Sequence, residues 1–415
     1  MNPTIKTRIE QIGRGEVPEG YRKTKAGIMP DAWLSDKIYK AKDVFYSVTN
    51  KKHNGQFEVL SATQDRGVIP RSQVDIDIKY SEESVSGYKK VDKGDFVISL
   101  RSFQGGIEYS EYEGLVSPAY TVLKNKLPIC DGYYKAYFKT NDYINRLNKG
   151  TYGIRDGKQV GFEDFGDMVI HYPSLAEQER IAEILGTQDK LIELKEKRIA
   201  EKKQQKKYFM QQLLTGKKRL AGYHEKWIDV KLGDIFTERV ETNCQNCELL
   251  SVTGTNGVVP RSTIETKDNS SEDKSKYLKI CKGDIGYNTM RMWQGVSALS
   301  DYEGIVSPAY TILIPSEKVS GKYFSYLFKM HAVIFLFYRF SQGIVDDTRS
   351  LKYYEFAKLH LTVPADKQEQ QAIADILSQA DKEIELLQKD LEEEKNKKKA
   401  LMQLLLTGIV RTVDL

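Results

Sequence analysis

Two stretches of the chain carry apolar residues at alternating steps of four and three. The first runs Ile181, Leu185, Gln188, Ile192, Lys195, Ile199, Lys202, Lys206, Phe209, Leu213. The second runs Ile373, Leu377, Ala380, Ile384, Leu387, Leu391, Glu394, Lys398, Leu401, Leu405. This spacing predicts a coiled-coil seam with apolar ends and a polar middle. Pro173 and Pro364 stand just before the two stretches, where proline is tolerated, and Gly216 and Gly408 stand where a helix should stop. A helix of about 40 residues extends roughly 60 Å at 1.5 Å per residue. Both helices share one register, so an antiparallel pairing lets each serve as the other's partner. Separate packing of each helix on its own globular unit is the alternative. Lys202 and Glu394 fall near the middle, where opposite charge could help set the register.

Outside these helices the pattern changes. Short Val, Ile, Tyr and Phe runs, such as "GDFVISL" and "SPAYTVL", alternate with Gly, Pro, Asn and Asp punctuation. They predict short strands joined by turns. A helical patch is expected over Tyr133 to Asn148 and over its counterpart, Lys322 to Ser341.

The two halves are copies of one plan. Glu177 to Gly216 aligns without a gap with Glu369 to Gly408, and 22 of 40 positions are identical. "YEGLVSPAYTVL" from Tyr112 returns as "YEGIVSPAYTIL" from Tyr302, and "LRSFQGG" from Leu100 returns as "MRMWQGV" from Met290. A repeat of this length means a duplicated unit. The expected fold class is α+β: two β-rich mixed domains joined by two long helices in an antiparallel coiled-coil spacer, with pseudo-two-fold symmetry. The expected division is 1–172 for the first domain with its lead-in and 173–216 for the first spacer helix. Residues 217–363 then form the second domain, and 364–415 the second helix and tail.

Composition narrows the class. The 415 residues exceed what one core usually serves. The net charge of +5 permits a polyanionic partner without demanding one. Cys244 and Cys247 form a lone CxxC, with no second pair or histidines at zinc spacing, so ordinary loop residues are expected there and no metal. The N-terminus lacks an apolar signal core, and the longest apolar run, Val333 to Tyr338, is far short of the roughly 20 residues a membrane span needs. A soluble protein of the reducing cytoplasm is expected.

Catalytic signals are missing. "GIRDGKQ" (Gly153 to Gln159) has the wrong spacing for a phosphate loop, and no methyltransferase, hydrolase or zinc-enzyme motif is present. The five histidines do not recur at equivalent repeat positions, as a duplicated active site would require. The acids that do recur, Asp95 with Asp284, Glu113 with Glu303 and Asp156 with Asp347, sit in turn-like contexts that suit structural roles.

What recurs is chemistry for binding. "LSATQDRGVIPRS" and "LSVTGTNGVVPRS" keep a frame and change its contents. The first offers Gln64, Arg66 and Arg71; the second offers Thr255, Asn256 and Arg261. Arginine can read guanine, and Asn or Gln adenine, in the major groove. Asn256-Gly257 is also a strong hairpin signal by itself, and the two readings are compatible. "RSFQG" and "RMWQG" add Arg101 with Gln104 and Arg291 with Gln294, as nucleic-acid contacts or structural anchors. Lys158 and Arg349 are aligned cations suited to phosphate, or to a solvated loop. The nearly unchanged "VSPAY" reads as scaffold.

With these motifs in order, the chain resembles the specificity (S) subunit of type I restriction–modification systems. The resemblance rests on "VPEGYRKTKAGIMPDAW" (Val17 to Trp33), "KWIDVKLGDIF" (Lys226 to Phe236), "YPSLAEQERIAEIL" (Tyr172 to Leu185) and the closing "QQLLTGKKR" and "QLLLTGIVR". It spans almost the whole chain. The second junction, "VPADKQEQQAIADIL", carries an extra residue, and the first unit opens on a degenerate "LSDKIYKAKDVF". The resemblance implies two target-recognition domains, each reading half of a bipartite, asymmetric site in double-stranded DNA. It implies assembly with two methyltransferase subunits that bind S-adenosylmethionine, and with two motor-nuclease subunits that use ATP and Mg. It implies no catalysis and no cofactor in this chain. A self-contained nuclease or methyltransferase with fused recognition domains is the alternative.

Overall fold

The computed structural model describes residues 3–34, 37–53, 55–74, 82–150, 160–244, 246–254, 257–264 and 270–414. The chain forms two compact units. One comprises Met1–Lys195 with Asp390–Leu415, and the other Glu196–Lys389.

In the first unit, a four-stranded antiparallel sheet runs Phe45–Val48, Thr121–Asn125, Phe96–Ile98, Glu108–Tyr109 across its width. The second unit repeats it as Phe236–Glu238, Tyr310–Pro315, Ile285–Asn288, Ser297–Leu299. A hairpin and a second strand pair flank each sheet: Leu60–Thr63 with Gly67–Pro70 and Lys89–Val91 with Gly114–Val116 in the first unit. Leu250–Val252 with Val258–Pro260 and Leu278–Ile280 with Gly304–Val306 are their counterparts. Each expected helical patch is two short helices: Asp131–Tyr137 and Asn141–Gly150, then Gly321–Leu327 and His331–Phe340. In the first unit the break falls at Thr140, whose hydroxyl donates back to the Tyr137 carbonyl and receives the Tyr143 amide. Aromatic rings fill the space between sheet and helices. Phe45, Phe96, Tyr134 and Phe138 meet edge to face or tilted in one unit, and Phe236, Phe324, Phe328 and Phe356 in the other.

The degenerate opening of the first unit has a structural counterpart. Trp227–Lys231 pairs with His360–Pro364 as a two-stranded sheet. In the first unit the corresponding pairing is a single bridge, Lys40 to Val169.

The long helices span Leu175–Leu213 and Lys367–Leu406. Within each unit they run antiparallel. In the first, Ile181, Leu185, Leu391 and Leu405 are buried, with Leu401 partly buried and Ile192 half-buried. In the second, Ile199, Leu213, Ile373, Leu377 and Ile384 are buried and Phe209 packs against the core. The seam is therefore apolar where it merges with a domain core and polar between. Glu394 accepts from Gln188 Nε2 at 2.6 Å, and Lys195 pairs with Asp390. Lys202 pairs with Glu383 at 2.8 Å and Lys206 with Asp381 at 2.5 Å. Charge does line the middle, but Lys202 pairs with Glu383, and Glu394 with Gln188, Lys195 and Lys397.

A buried Glu-Gln pair at the start of each helix closes its unit. Glu177 takes both guanidinium nitrogens of Arg411, at 2.5 and 2.7 Å, and the Trp33 indole N–H at 2.9 Å. Gln178 receives the Cys130 amide and donates to the Pro173 carbonyl, each at 2.9 Å. In the second unit Glu369 takes Arg219 at 2.6 and 2.7 Å, and Gln370 bridges the Ser320 amide and the Pro364 carbonyl at 2.9 Å. The "LTG" ending, three residues before each arginine, thus completes a unit.

Cys244 and Cys247 are joined as a disulfide. This corrects their expected role as ordinary loop residues: a CxxC turn places the two sulfurs within bonding reach. Among the described residues no group of three or more His, Cys, Asp or Glu is placed to hold a metal ion, and no helix is long and apolar enough to cross a membrane.

His171 has the opposite character to a site residue. It is fully buried, with Nδ1 2.7 Å from the Leu406 carbonyl and Nε2 3.3 Å from that of Ala26. Burial holds its proton affinity down, to a pKa of about 4. An unfolded histidine titrates near 6.5. Between these values the unfolded chain holds more protons, so stability present at neutral pH is lost as pH falls through the window. The loss is on the order of 3 kcal/mol. Urea unfolding of the wild type and of His171→Gln at pH 7 and pH 4.5 should show a shallower loss in the variant. Equal losses would refute the assignment.

Candidate nucleic-acid interface

The repeated frame is a hairpin clasp. Thr63 Oγ1 donates to the Gly67 carbonyl at 2.9 Å and receives the Arg66 amide at 3.1 Å. Thr253 makes the same hydroxyl bond to Gly257 at 3.0 Å. Pro70 and Pro260 end their strands and start a 3-10 turn, from which the Arg71 and Arg261 amides bond the Val59 and Leu249 carbonyls. The frame residues thus close the hairpin and leave the tip to vary. Gln64 and Arg66 are exposed at that tip in the first unit. The Arg66 guanidinium reaches back to the Gln73 carbonyl at 3.0 Å. Thr255 and Asn256 lie outside the described residues, as does Lys158.

The second element meets the first. In the first unit, "SFQG" is one helical turn, Ser102–Gly105, and Ser102 Oγ accepts the Ser99 amide at 2.8 Å. Gly105 lies against Gln64 so closely that a Cβ there would sit 2.6 Å from Gln64 Cγ. In the second unit the equivalent turn is a tighter 3-10 turn, Met292–Gln294. The cause is one residue. Gly106 ends the first turn at φ +81°, but its counterpart is Val296, which that conformation disfavours. The second turn therefore stops one residue earlier, at Gly295, also at φ +81°. Arg101 and Gln104 are exposed on the first turn, Arg291 and Gln294 on the second.

A lysine missing from the sequence reading holds the loops together. Lys139 Nζ donates to the Gln64 carbonyl at 3.2 Å, the Gly105 carbonyl at 2.8 Å and Glu108 Oε1 at 2.5 Å. Lys329 takes its place in the second unit, donating to the Gly295 and Ser297 carbonyls at 2.7 and 2.6 Å. The Glu108 position is Ala298 there, so Lys329 has carbonyls where Lys139 also has a carboxylate. Burial accordingly lowers the Lys329 pKa to about 8. Burial also raises Glu108, to about 7, against the attraction of Lys139. The signal was available: "YFKT" and "LFKM" align these lysines in the repeats.

Tyr120, read as scaffold, sits beside the cations. Burial raises its phenol pKa, and the positive charges of Arg71 and Arg101 lower it. Lys89 donates to the Tyr120 carbonyl at 2.6 Å, and its own pKa is lowered by burial and then by Lys51. Arg71 and Arg101 thus bring positive charge near Tyr120, and Lys51 brings it near Lys89. Arg71 is partly committed, since its Nε donates to Ser61 Oγ at 3.3 Å. Arg349 is also committed: it pairs with Asp346 at 2.8 Å, donates to the Tyr338 hydroxyl at 2.9 Å and lies 4.1 Å above that ring. Asp95 and Asp284 are structural, held by Lys124 and by Arg239 at 2.8 Å.

Two β-rich units, each presenting a clasped hairpin and an arginine-bearing turn, define a nucleic-acid-reading protein without a catalytic constellation among the described residues. The chain matches the type I restriction modification DNA specificity domain over residues 36–204 and again over 224–395, and it belongs to that family. It is 25% identical over 355 residues to the type I restriction enzyme MjaVIII specificity subunit of Methanocaldococcus jannaschii, covering 78% of this chain and 81% of that one. Its fold is similar to the type I restriction-modification S subunit from M. genitalium, with a TM-score of 0.53 at 13% identity over 89% of this chain and 95% of that one. It is also similar to a chain solved in work on complex assembly and conformational transition of the type I R-M system, with a TM-score of 0.54 at 14% identity over 95% and 100% of the two chains.

The lysine anchor makes a measurable prediction. Lys139→Met leaves Glu108 buried without its cation, a loss of about 3 kcal/mol when the carboxylate is charged. The penalty should be full at pH 8 and smaller at pH 6, where Glu108 takes up a proton. Adding Glu108→Gln should remove most of it. A pH-independent penalty in thermal unfolding would refute the pair as the anchor.

Proposed function

We propose that this chain is the DNA-specificity subunit of a type I restriction–modification complex, with each unit reading one half of a bipartite site. The carrying observation is the hairpin of the first unit. Its frame returns in the second, its tip differs, and a half-buried lysine ties it to an arginine turn. The base-reading candidates are Gln64, Arg66, Arg71, Arg101 and Gln104 in the first unit, and Thr255, Asn256, Arg261, Arg291 and Gln294 in the second. Lys158 is a phosphate candidate. Arg349, held by Asp346 and Tyr338, is its counterpart in the second unit. Lys51 and Lys89 suit the backbone, where cations give affinity without sequence preference.

The chain supplies no chemistry of its own. Residues 36–204 and 224–395 match the specificity domain, which supports this reading over the alternative of a fused nuclease or methyltransferase. Two methyltransferase subunits carrying S-adenosylmethionine, and two ATP- and Mg-dependent motor-nuclease subunits, would provide modification and cleavage. Leu194 and Leu386 occupy equivalent positions in the duplicated helix and are 64% and 68% exposed. An exposed leucine repeated at the same position suits docking of two copies of one partner. The domain bounds proposed for function are 1–172 and 217–363, with the helices from 173 and 364 as the spacer.

Replacing Gln64-Asp65-Arg66 by the Gly-Thr-Asn of the second unit should change the preferred bases in one half-site and leave the other intact. Genome-wide mapping of methylated adenines in cells carrying the variant reads this directly. An unchanged map would remove the hairpin tip from the reading surface.

A further inference from the structure

The second unit carries an apolar tip that its own packing leaves uncovered. Between helix His331–Phe340 and buried Leu351, the chain makes a loop over residues 343–349. Its base is a two-bond bridge between Gln342 and Ser350. At its crown Ile344 is 98% exposed and Val345 57% exposed.

The loop is closed on itself. The Thr348 hydroxyl donates to the Val345 carbonyl at 2.9 Å, and the Thr348 amide bonds the same oxygen at 3.0 Å. Arg349 pairs with Asp346 at 2.8 Å. Gly343 has φ +146°, and a Cβ there would lie 2.7 Å from the Arg349 nitrogen. Only glycine fits that point, and it turns Ile344 outward. A β-branched residue held outward on a self-bonded loop is preorganised for contact, since little freedom is left to lose.

The loop is anchored to the reading turn of the same unit. The Leu351 amide bonds the Thr289 carbonyl at 2.9 Å, two residues before Arg291. Tyr338 stands edge-on to Trp293 at 6.1 Å and beneath Arg349 at 4.1 Å. Met290, next to that turn, is itself 45% exposed. Ile344 and Val345 stand at the crown of a narrow self-bonded loop next to the turn that bears Arg291. They suit a groove, where single apolar side chains discriminate bases by touching the thymine methyl.

We propose that the Ile344–Val345 tip reads thymine in the major groove of one half-site, by apolar contact with its 5-methyl group. This rests on the reading that the second unit binds DNA through the turn bearing Arg291. It adds a specificity determinant without hydrogen-bonding capacity, which a search for Arg, Asn and Gln passes over.

The test uses the chain assembled with its methyltransferase subunits, on duplexes carrying the site defined by methylation mapping. Each thymine of the site and its flanks is replaced singly by deoxyuridine, which removes only the methyl group. Binding is first compared with an unrelated duplex; no preference there sinks the DNA-reading assignment and this inference with it. Given a preference, one or two thymines confined to one half-site should each lose about fourfold in affinity on methyl removal. The double variant Ile344→Ala, Val345→Ala should bind those duplexes and their thymine parents equally. Both substitutions are at exposed positions, and an unchanged far-ultraviolet spectrum and Tm verify folding. The inference is overturned, with the DNA-reading assignment intact, by any of three results: a wild type insensitive to every deoxyuridine, methyl sensitivity that survives in the variant, or a variant that loses affinity equally for every duplex.

Discussion

A buried carboxylate at the start of each long helix is the contact on which each unit depends. Glu177 and Glu369 are almost completely buried, and each is held by the two guanidinium nitrogens of an arginine far away in sequence. A carboxylate in such a place is tolerated only when paired and fully hydrogen-bonded. The requirement reaches outward. Arg411 must be delivered by the segment after Gly408, and Arg219 by the segment after Gly216. The glutamine beside each glutamate ties the helix start to the domain, at Cys130 in one unit and Ser320 in the other. Removing either arginine would leave a charge with no water to take its place, so the helix ends and the domain cores stand or fall together.

The same economy governs the loops. A threonine hydroxyl and a proline keep the hairpin shape constant, which frees three tip positions to change without altering the fold. The anchoring lysine is kept in both units, but its surroundings are not. Lys139 has a carboxylate, and Lys329 has only carbonyl oxygens. One glycine of difference, Gly106 against Val296, also shortens the second turn. The two readers therefore differ in loop geometry as well as in displayed side chains, which is how one frame can serve two sequences.

Much of this was legible beforehand for a plain reason: duplication acts as an internal alignment. It marked "VSPAY" and the "LTG" endings as frame and the tips as content. It also held the aligned lysines 139 and 329, which went unused because a lone lysine carries no motif. Tyr120, in an unchanged motif, was read as scaffold, and its ring packs against the buried cluster that includes Leu60 and Val68. Arg349 was read as a cation suited to phosphate or to a solvated loop, and its contacts with Asp346 and Tyr338 came only from the fold. The disulfide of Cys244 and Cys247 turned on backbone geometry rather than on composition.

By itself the sequence determined the period of the helices, the two copies of the α+β plan and the absence of a recurring catalytic set, because these depend on spacing and repetition alone. Its four-and-three register placed the seam, since side chains on one helix face must share one neighbour. Only the tertiary structure decided which charges pair along that seam, which lysine binds the loops and which arginines remain available. Those choices depend on burial. An ion pair, a lowered lysine or an exposed isoleucine is defined by what else occupies the space around it, and residues far apart in the chain supply those neighbours.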